Sequence, residues 1–169
     1  LHPFRMRTED RDVHHPTLAA KADVASGVRL VVCTDSTIAE LDVVILDGEE
    51  TASIDAVVDN EIAAGCGPLP TADKQTYQFD SLPAGMKRVE FWLPQFGHTT
   101  LHALRLDGSA QIKAFRDNRP RWITYGSSIT MCRTAHSPAR TWPATVARLR
   151  DLNLTSLGFG GACHFDPLV

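Results

Sequence analysis

Several familiar anchors are missing from this sequence. No Cys-x-x-Cys occurs, and the four cysteines, Cys33, Cys66, Cys132 and Cys163, stand at least 31 residues apart. That spacing fits neither a zinc ribbon nor a dense disulfide framework, so buried free thiols are the default. The histidines are scattered, with one pair, His14–His15, in a polar opening segment; no metal site is expected. No apolar run approaches the ~20 residues of a membrane span, and the N-terminus lacks the charged-then-apolar layout of a secretory signal. No membrane partner is therefore expected, and the compartment stays open with the cytoplasm favoured. The first residue is Leu1 rather than Met, which points to processing or truncation upstream.

Strong charge of one sign is lacking as well, at a net −3 over 169 residues. The distribution is uneven, however. Residues 119–169 hold six arginines against Asp151 and Asp166, a balance of +4, which leaves −7 on the first 118 residues. Such a split suits two domains or an anion-seeking face. Basic and aromatic residues do not interleave as they do in nucleic-acid binders, so the arginines are read as surface and no nucleic-acid partner is expected.

What is present begins with short strands. After an irregular segment over 1–26, alternation predicts strands over Gly27–Thr34, Ile38–Leu46, Ser53–Asn60, Thr76–Leu82, Lys87–Leu93, Thr100–Leu106 and Gln111–Phe115. Turn residues separate them at Asp47-Gly48, Gly65-Cys66-Gly67-Pro68, Pro83-Ala84-Gly85, Gln95-Phe96-Gly97 and Asp107-Gly108. Regularly spaced strands of this kind predict a β-sandwich or jelly roll. Trp92, beside Phe91, is expected inside that sandwich.

The pattern changes at Asn118-Arg119-Pro120. A strand is predicted to about Tyr125, then a loop to Ser137-Pro138. Next comes a helix capped by Thr141, with Trp142, Val146 and Leu149 on its inner face. A second buried strand, Leu152–Leu157, ends in Gly158-Phe159-Gly160-Gly161. Strand, helix and strand make a βαβ unit, the start of a parallel sheet. We therefore expect a mainly β chain: a β-sandwich over 1–117, then the first βαβ unit of an incomplete α/β domain over 118–169. Two parallel strands with uncovered edges do not make a stable sheet, so a complementing chain, a homo-oligomer or further sequence is expected.

Reactive groups gather at the carboxyl ends of parallel strands. The first tip carries Gly126-Ser127-Ser128; the second carries the glycines. A serine facing free N–H groups in a glycine turn makes a nucleophile beside an oxyanion hole. From the residues alone, a plain turn is the competing reading. Cys132 and Cys163 follow the two tips and are read as packing thiols first and a disulfide second.

"YGSSIT" (125–130) resembles the first block of the SGNH (GDSL-type) hydrolases, and "SLGFGG" (156–161) resembles the second. With "FWLPQFG" and "LHALRLDG" in the strand-rich part, the chain resembles the subgroup that joins an N-terminal jelly roll to a flavodoxin-like hydrolase domain. The resemblance implies Ser128 as nucleophile, with its own N–H and that of Gly161 as oxyanion donors. It implies a serine ester hydrolase, of the carbohydrate acetylesterase or acyltransferase kind, working through an acyl-enzyme on a small-molecule or carbohydrate ester without a cofactor. Ser127 stands where the family has aspartate, and Ala162 where a polar residue is expected. His164 is a candidate to orient substrate, though its spacing to Asp166 is not that of the family's Asp-x-x-His. The Gly-x-Asn-Asp block does not occur in these residues, and no Asp-x-x-His follows the two blocks (the spacing occurs only at Asp12–His15 in the opening segment), so catalysis by this chain alone is in question. Two other readings stay open: a carbohydrate- or ligand-binding β-sandwich module without hydrolysis, and a pseudoenzyme.

Overall fold

A computed structural model describes residues 1–46, 52–66, 69–70, 75–167 and 169, without the side chains of 66, 69 and 70. Eleven strands are present among them: β1 (Arg29–Thr34), β2 (Ala39–Leu46), β3 (Ile54–Val58), β4 (Glu61–Cys66), β5 (Leu69–Pro70), β6 (Gln75–Phe79), β7 (Lys87–Trp92), β8 (His98–Leu106), β9 (Ile112–Lys113), β10 (Arg121–Gly126) and β11 (Asn153–Gly158). The first nine form two antiparallel sheets, ordered β4-β3-β7-β1-β9 and β5-β6-β2-β8. The last two pair in parallel, with Arg121 opposite Asn153 and Gly126 opposite Gly158. The fold is mainly β, as expected.

Alternation builds the sandwich core. Ala39, Leu41 and Val43 of β2 meet Ile54, Ala56, Val89 and Phe91 from the other sheet. The polar face of β2 turns outward, where Arg105 pairs with Glu40 and Asp42. In β3 the alternation disappears from the burial pattern, because all five residues are buried. Its second face is covered too: Val57 and Trp92 pack on Ala139, Ala144, Ala147 and Leu154. Trp92 is thus buried against the parallel strands and their helix, not inside the sandwich. Which face of a strand meets which layer is a tertiary fact that period two does not carry.

The opening segment is more ordered than its polarity suggests. A 3-10 turn over Thr8–Val13 leads to helix α1 (Pro16–Ala22), which buries Leu18, Ala19 and Ala22. Strand β4 was also hidden, with Gly65-Cys66 inside it rather than in a turn. It pairs back on β3 through Asp59 and Asn60, which have φ of 47° and 75°. Two positive φ values in a two-residue hairpin give the twist that flanking strands require. Asp47-Gly48 and Gly67-Pro68 lie outside the described residues.

Between the parallel strands come α2 (Ser128–Met131), a 3-10 turn over Pro138–Arg140 and α3 (Trp142–Leu149). The Thr141 side chain caps α3 by accepting from Ala144 N at 3.3 Å. The buried face of α3 is its small one, Pro143, Ala144 and Ala147. Trp142 is 43% exposed and Leu149 75%. This reverses the expected inner face: only small residues let the helix approach Trp92 and Leu154.

The carbonyls on one edge of the parallel pair are covered. Arg5 Nη1 donates to the carbonyls of Ser156 and Gly158, and Arg29 Nη1 to that of Leu154. The expectation of two uncovered edges is corrected in part for β11: guanidinium donors from the opening segment and β1 cover its outward carbonyls. Phe159 N donates to Gly126 O and Asn153 N to Pro120 O, so the even residues of β10 face β11. The main-chain groups of Arg121, Ile123 and Tyr125 then face outward, and among the described residues no backbone group pairs with them. No helix among these residues is long and apolar enough to cross a membrane.

Candidate functional site

Strand β10 ends at Gly126, and the chain turns at once into α2. Ser127 is the residue before the first helical turn, with φ −89° and ψ −144° and no side-chain cap. Its carbonyl accepts from Thr130 N at 3.1 Å and Met131 N at 3.0 Å, which points the following residue, Ser128, away from the strand. Ser128 is exposed at the strand tip.

The second tip is shaped to fit the first. Helix α2 crosses the end of β11 so closely that a Cβ on Gly158 would collide with the Met131 amide. A Cβ on Gly160 would stand 3.7 Å from Ser128 Cα and 3.8 Å from its Cβ. Glycine is therefore the residue that leaves room beside Ser128. Gly161 follows with φ +76° and open space around its α-carbon. Among the described residues, no backbone carbonyl accepts from the N–H of Ser128, Gly160 or Gly161. Main-chain N–H groups without a backbone acceptor, at Ser128 and in the glycine turn beside it, are the kind of donor that developing negative charge on a carbonyl oxygen needs.

Ala162 is 1% exposed and packs with Leu18, Ala22 and Phe159, so its methyl anchors the glycine turn to α1. Ser127 is exposed beside Ser128. His164 is exposed and lines neither hollow at Ser128. The segment holding it is fixed instead by Phe165 N donating to the Tyr125 hydroxyl at 2.9 Å. Burial, with Cys163 nearby, raises the Tyr125 pKa, so the phenol stays protonated. Among the described residues Ser128 has no hydrogen bond to a histidine.

Among the described residues, two hollows include Ser128. One, of about 450 Å³, lies between Ile129, Cys132 and Trp142. The Cys132 thiol and Trp142 Nε1 both donate to Ile129 O at 2.9 Å. Burial pushes the Cys132 pKa up, which disfavours the thiolate. Cys33, Cys132 and Cys163 are free thiols, so the alternative of a Cys132–Cys163 disulfide is not realised.

The other hollow, of about 430 Å³, is lined by Ser128 and Gly160 together with Lys21, Phe96 and His98. The sequence reading missed these last residues, because no motif marks them. The turn Gln95-Phe96-Gly97 was the only sign of a loop that could reach a site. A larger hollow, about 630 Å³, runs along β11 past Arg5 and Arg29 and does not include Ser128. Among the described residues no cluster of three metal-ligating side chains occurs.

An antiparallel β-sandwich followed by a parallel strand pair, with a serine and a glycine turn at the tips of that pair, defines a class of mainly β proteins. Within that class the family described as "SsfX3, N-terminal domain" matches residues 1–102, and the chain belongs to it. The structure of a salicylyl-acyltransferase, SsfX3, from a tetracycline biosynthetic pathway is similar over 99% of this chain and 49% of that one, at 35% identity and TM-score 0.88. A protein described as a GDSL-like lipase from Bacteroides ovatus shares the fold over 96% of this chain and 52% of its own, at 19% identity and TM-score 0.82. A family two carbohydrate esterase from Clostridium thermocellum does so over 82% and 46%, at 16% identity and TM-score 0.63. The chain thus spans about half the length of these structures. No protein with a curated description matches the sequence.

Proposed function

We propose that this chain carries the nucleophile half of a serine acyl-transfer site, with residues 1–117 and 118–169 as its two domains. The observation that carries the reading is Ser128 at the tip of β10 beside Gly160, with no backbone acceptor for the N–H of Ser128 or of the two turn glycines among the described residues. The salicylyl-acyltransferase and esterase descriptions of its structural relatives support a hydrolase- or acyltransferase-type reaction.

In this reading the Ser128 hydroxyl adds to the carbonyl of a small-molecule or carbohydrate ester. The N–H groups of Ser128 and Gly161, the pair the SGNH resemblance names, hold the oxyanion, and Gly160 keeps the approach clear. Removing one such donor costs ~3–4 kcal/mol in acyl transfer. The tetrahedral intermediate expels the alcohol and leaves an acyl-enzyme. Water then releases an acid, or a second hydroxyl takes the acyl group. The serine proton needs a base, whose loss costs about a millionfold in comparable triads. That base, and an asparagine donor, come from a complementing chain, a second copy or continuing sequence, docked on the open edge of β10.

The test is the release of p-nitrophenolate from p-nitrophenyl acetate. A burst or turnover lost in Ser128→Ala supports the reading. Equal rates in the two proteins, with and without a complementing C-terminal half, contradict it and favour a ligand-binding sandwich.

A further inference from the structure

Three basic side chains from distant parts of the chain meet in the hollow beside Ser128. Lys21 comes from the last turn of α1, His98 opens β8, and Arg133 follows α2. No acidic side chain is among the described residues that line it. Asp23, the carboxylate nearest Lys21 in sequence, is turned away to Arg11 at 2.8 Å and His2 at 3.1 Å. The wall is fixed rather than loose. The Arg133 guanidinium stands 5.8 Å from the centre of the Phe96 ring, and Gln95 Nε2 donates to Arg133 O at 3.3 Å. The sandwich loop and the segment after α2 therefore position one another.

We propose that this hollow is a subsite for an anionic group, a carboxylate or a phosphate, carried by the substrate whose carbonyl Ser128 attacks, with Lys21 and Arg133 as its specificity-determining residues. The inference rests on the acyl-transfer reading of Ser128. An ammonium and a guanidinium lining one cleft raise the local concentration of an anion and bind its oxygens by charge-assisted hydrogen bonds. Phe96 supplies an apolar wall for the carbon skeleton behind that anion. The substrate reaches the nucleophile by way of the β-sandwich, which thereby sets what is accepted.

The test uses the full chain and amide NMR, with the Gly97 and Gly160 amides as reporters of the hollow. Three probes are titrated: monobutyl succinate, its neutral isostere butyl succinamate, and butyl phosphate. The account predicts that the anions shift both amides and bind at least about tenfold tighter than the succinamate. The preference is lost in the Lys21→Gln/Arg133→Gln variant, whose spectrum reports its folding, and is halved or more in each single variant. Tighter binding of the phosphate assigns a phosphate source, and tighter binding of the succinate a carboxylate one. Equal binding of the succinamate, no binding by any probe, or anion-dependent shifts confined to the hollow along β11 overturns the proposal. Labelling of Ser128 by a neutral fluorophosphonate is measured in parallel on the chain assembled with its complementing half. Labelling without anion preference sinks the subsite alone, and anion preference without labelling sinks the acyl-transfer reading alone.

Discussion

Arg5 holds the strand that ends at the glycine turn: its Nη1 donates to Gly158 O at 3.0 Å, 153 residues along the chain. The same guanidinium reaches Ser156 O and Lys21 O and lies 4.9 Å from the centre of the Phe159 ring. Its acceptors are carbonyls, and burial lowers its pKa to about 10, which leaves it charged at neutral pH. Hydrogen bonds to a charged group contribute ~1.5–3 kcal/mol each, and an ammonium cannot reproduce the fork. Arg5→Met should lower stability by about 3 kcal/mol, with Arg5→Lys recovering less than half, as read from urea midpoints.

Gly158 is the position where the two tips touch. In Gly158→Ala the new methyl meets the backbone of Met131, which cannot rotate away as a side chain could. Overpacking of this kind costs ~1–3 kcal/mol, and here it also displaces α2 and with it Ser128. Ser128 labelling should fall more than stability does. In Gly161→Ala the methyl finds open space, and the loss should be the ~1–2 kcal/mol of a left-handed residue.

The junction has an acid limb. Arg119 Nε and Nη2 donate to Asp117 at 2.9 and 2.7 Å, and this holds the carboxyl below the usual aspartate range. A folded pKa below the unfolded one gives a contribution that is complete above the ordinary aspartate value and disappears as pH falls through the folded value. Asp117→Asn should therefore flatten the loss of stability between about pH 4 and pH 2 while barely altering its shape above pH 6. Urea midpoints across that range check it.

An open strand edge has consequences in solution. Arg121, Ile123 and Tyr125 present their main-chain groups outward, with Ile123 62% and Ile129 79% exposed nearby. Unpaired edges recruit strands. We expect concentration-dependent self-association in sedimentation velocity, suppressed by Ile123→Pro, which removes the donor without disturbing the β11 ladder. A monomer at every concentration contradicts this.

Much of this architecture was legible in alternation. β1, β2, β7 and β8 have branched or aromatic residues at alternate places along part of their length, and all four fall within two residues of their expected ends. β4 was not, because Ala63, Ala64 and Gly65 carry little apolar signal and only pairing with β3 extends them. The face of α3 was misread for a physical reason: periodicity favours the large residues Trp142 and Leu149, whereas close packing favours Ala144 and Ala147. At the site, Ser128 and the glycines stood out because a tight turn admits few residue types. Lys21, Phe96 and His98 did not, since only the docking of the sandwich on the parallel strands brings them there.

The central claim is that Ser128 is a nucleophile, and intact mass after exposure to a fluorophosphonate probe tests it most directly. The account predicts one adduct on the chain assembled with its complementing half, mapping to the tryptic peptide that covers 122–133 and absent in Ser128→Ala. A folded, assembled protein that takes no adduct, or takes it at another residue, contradicts the account.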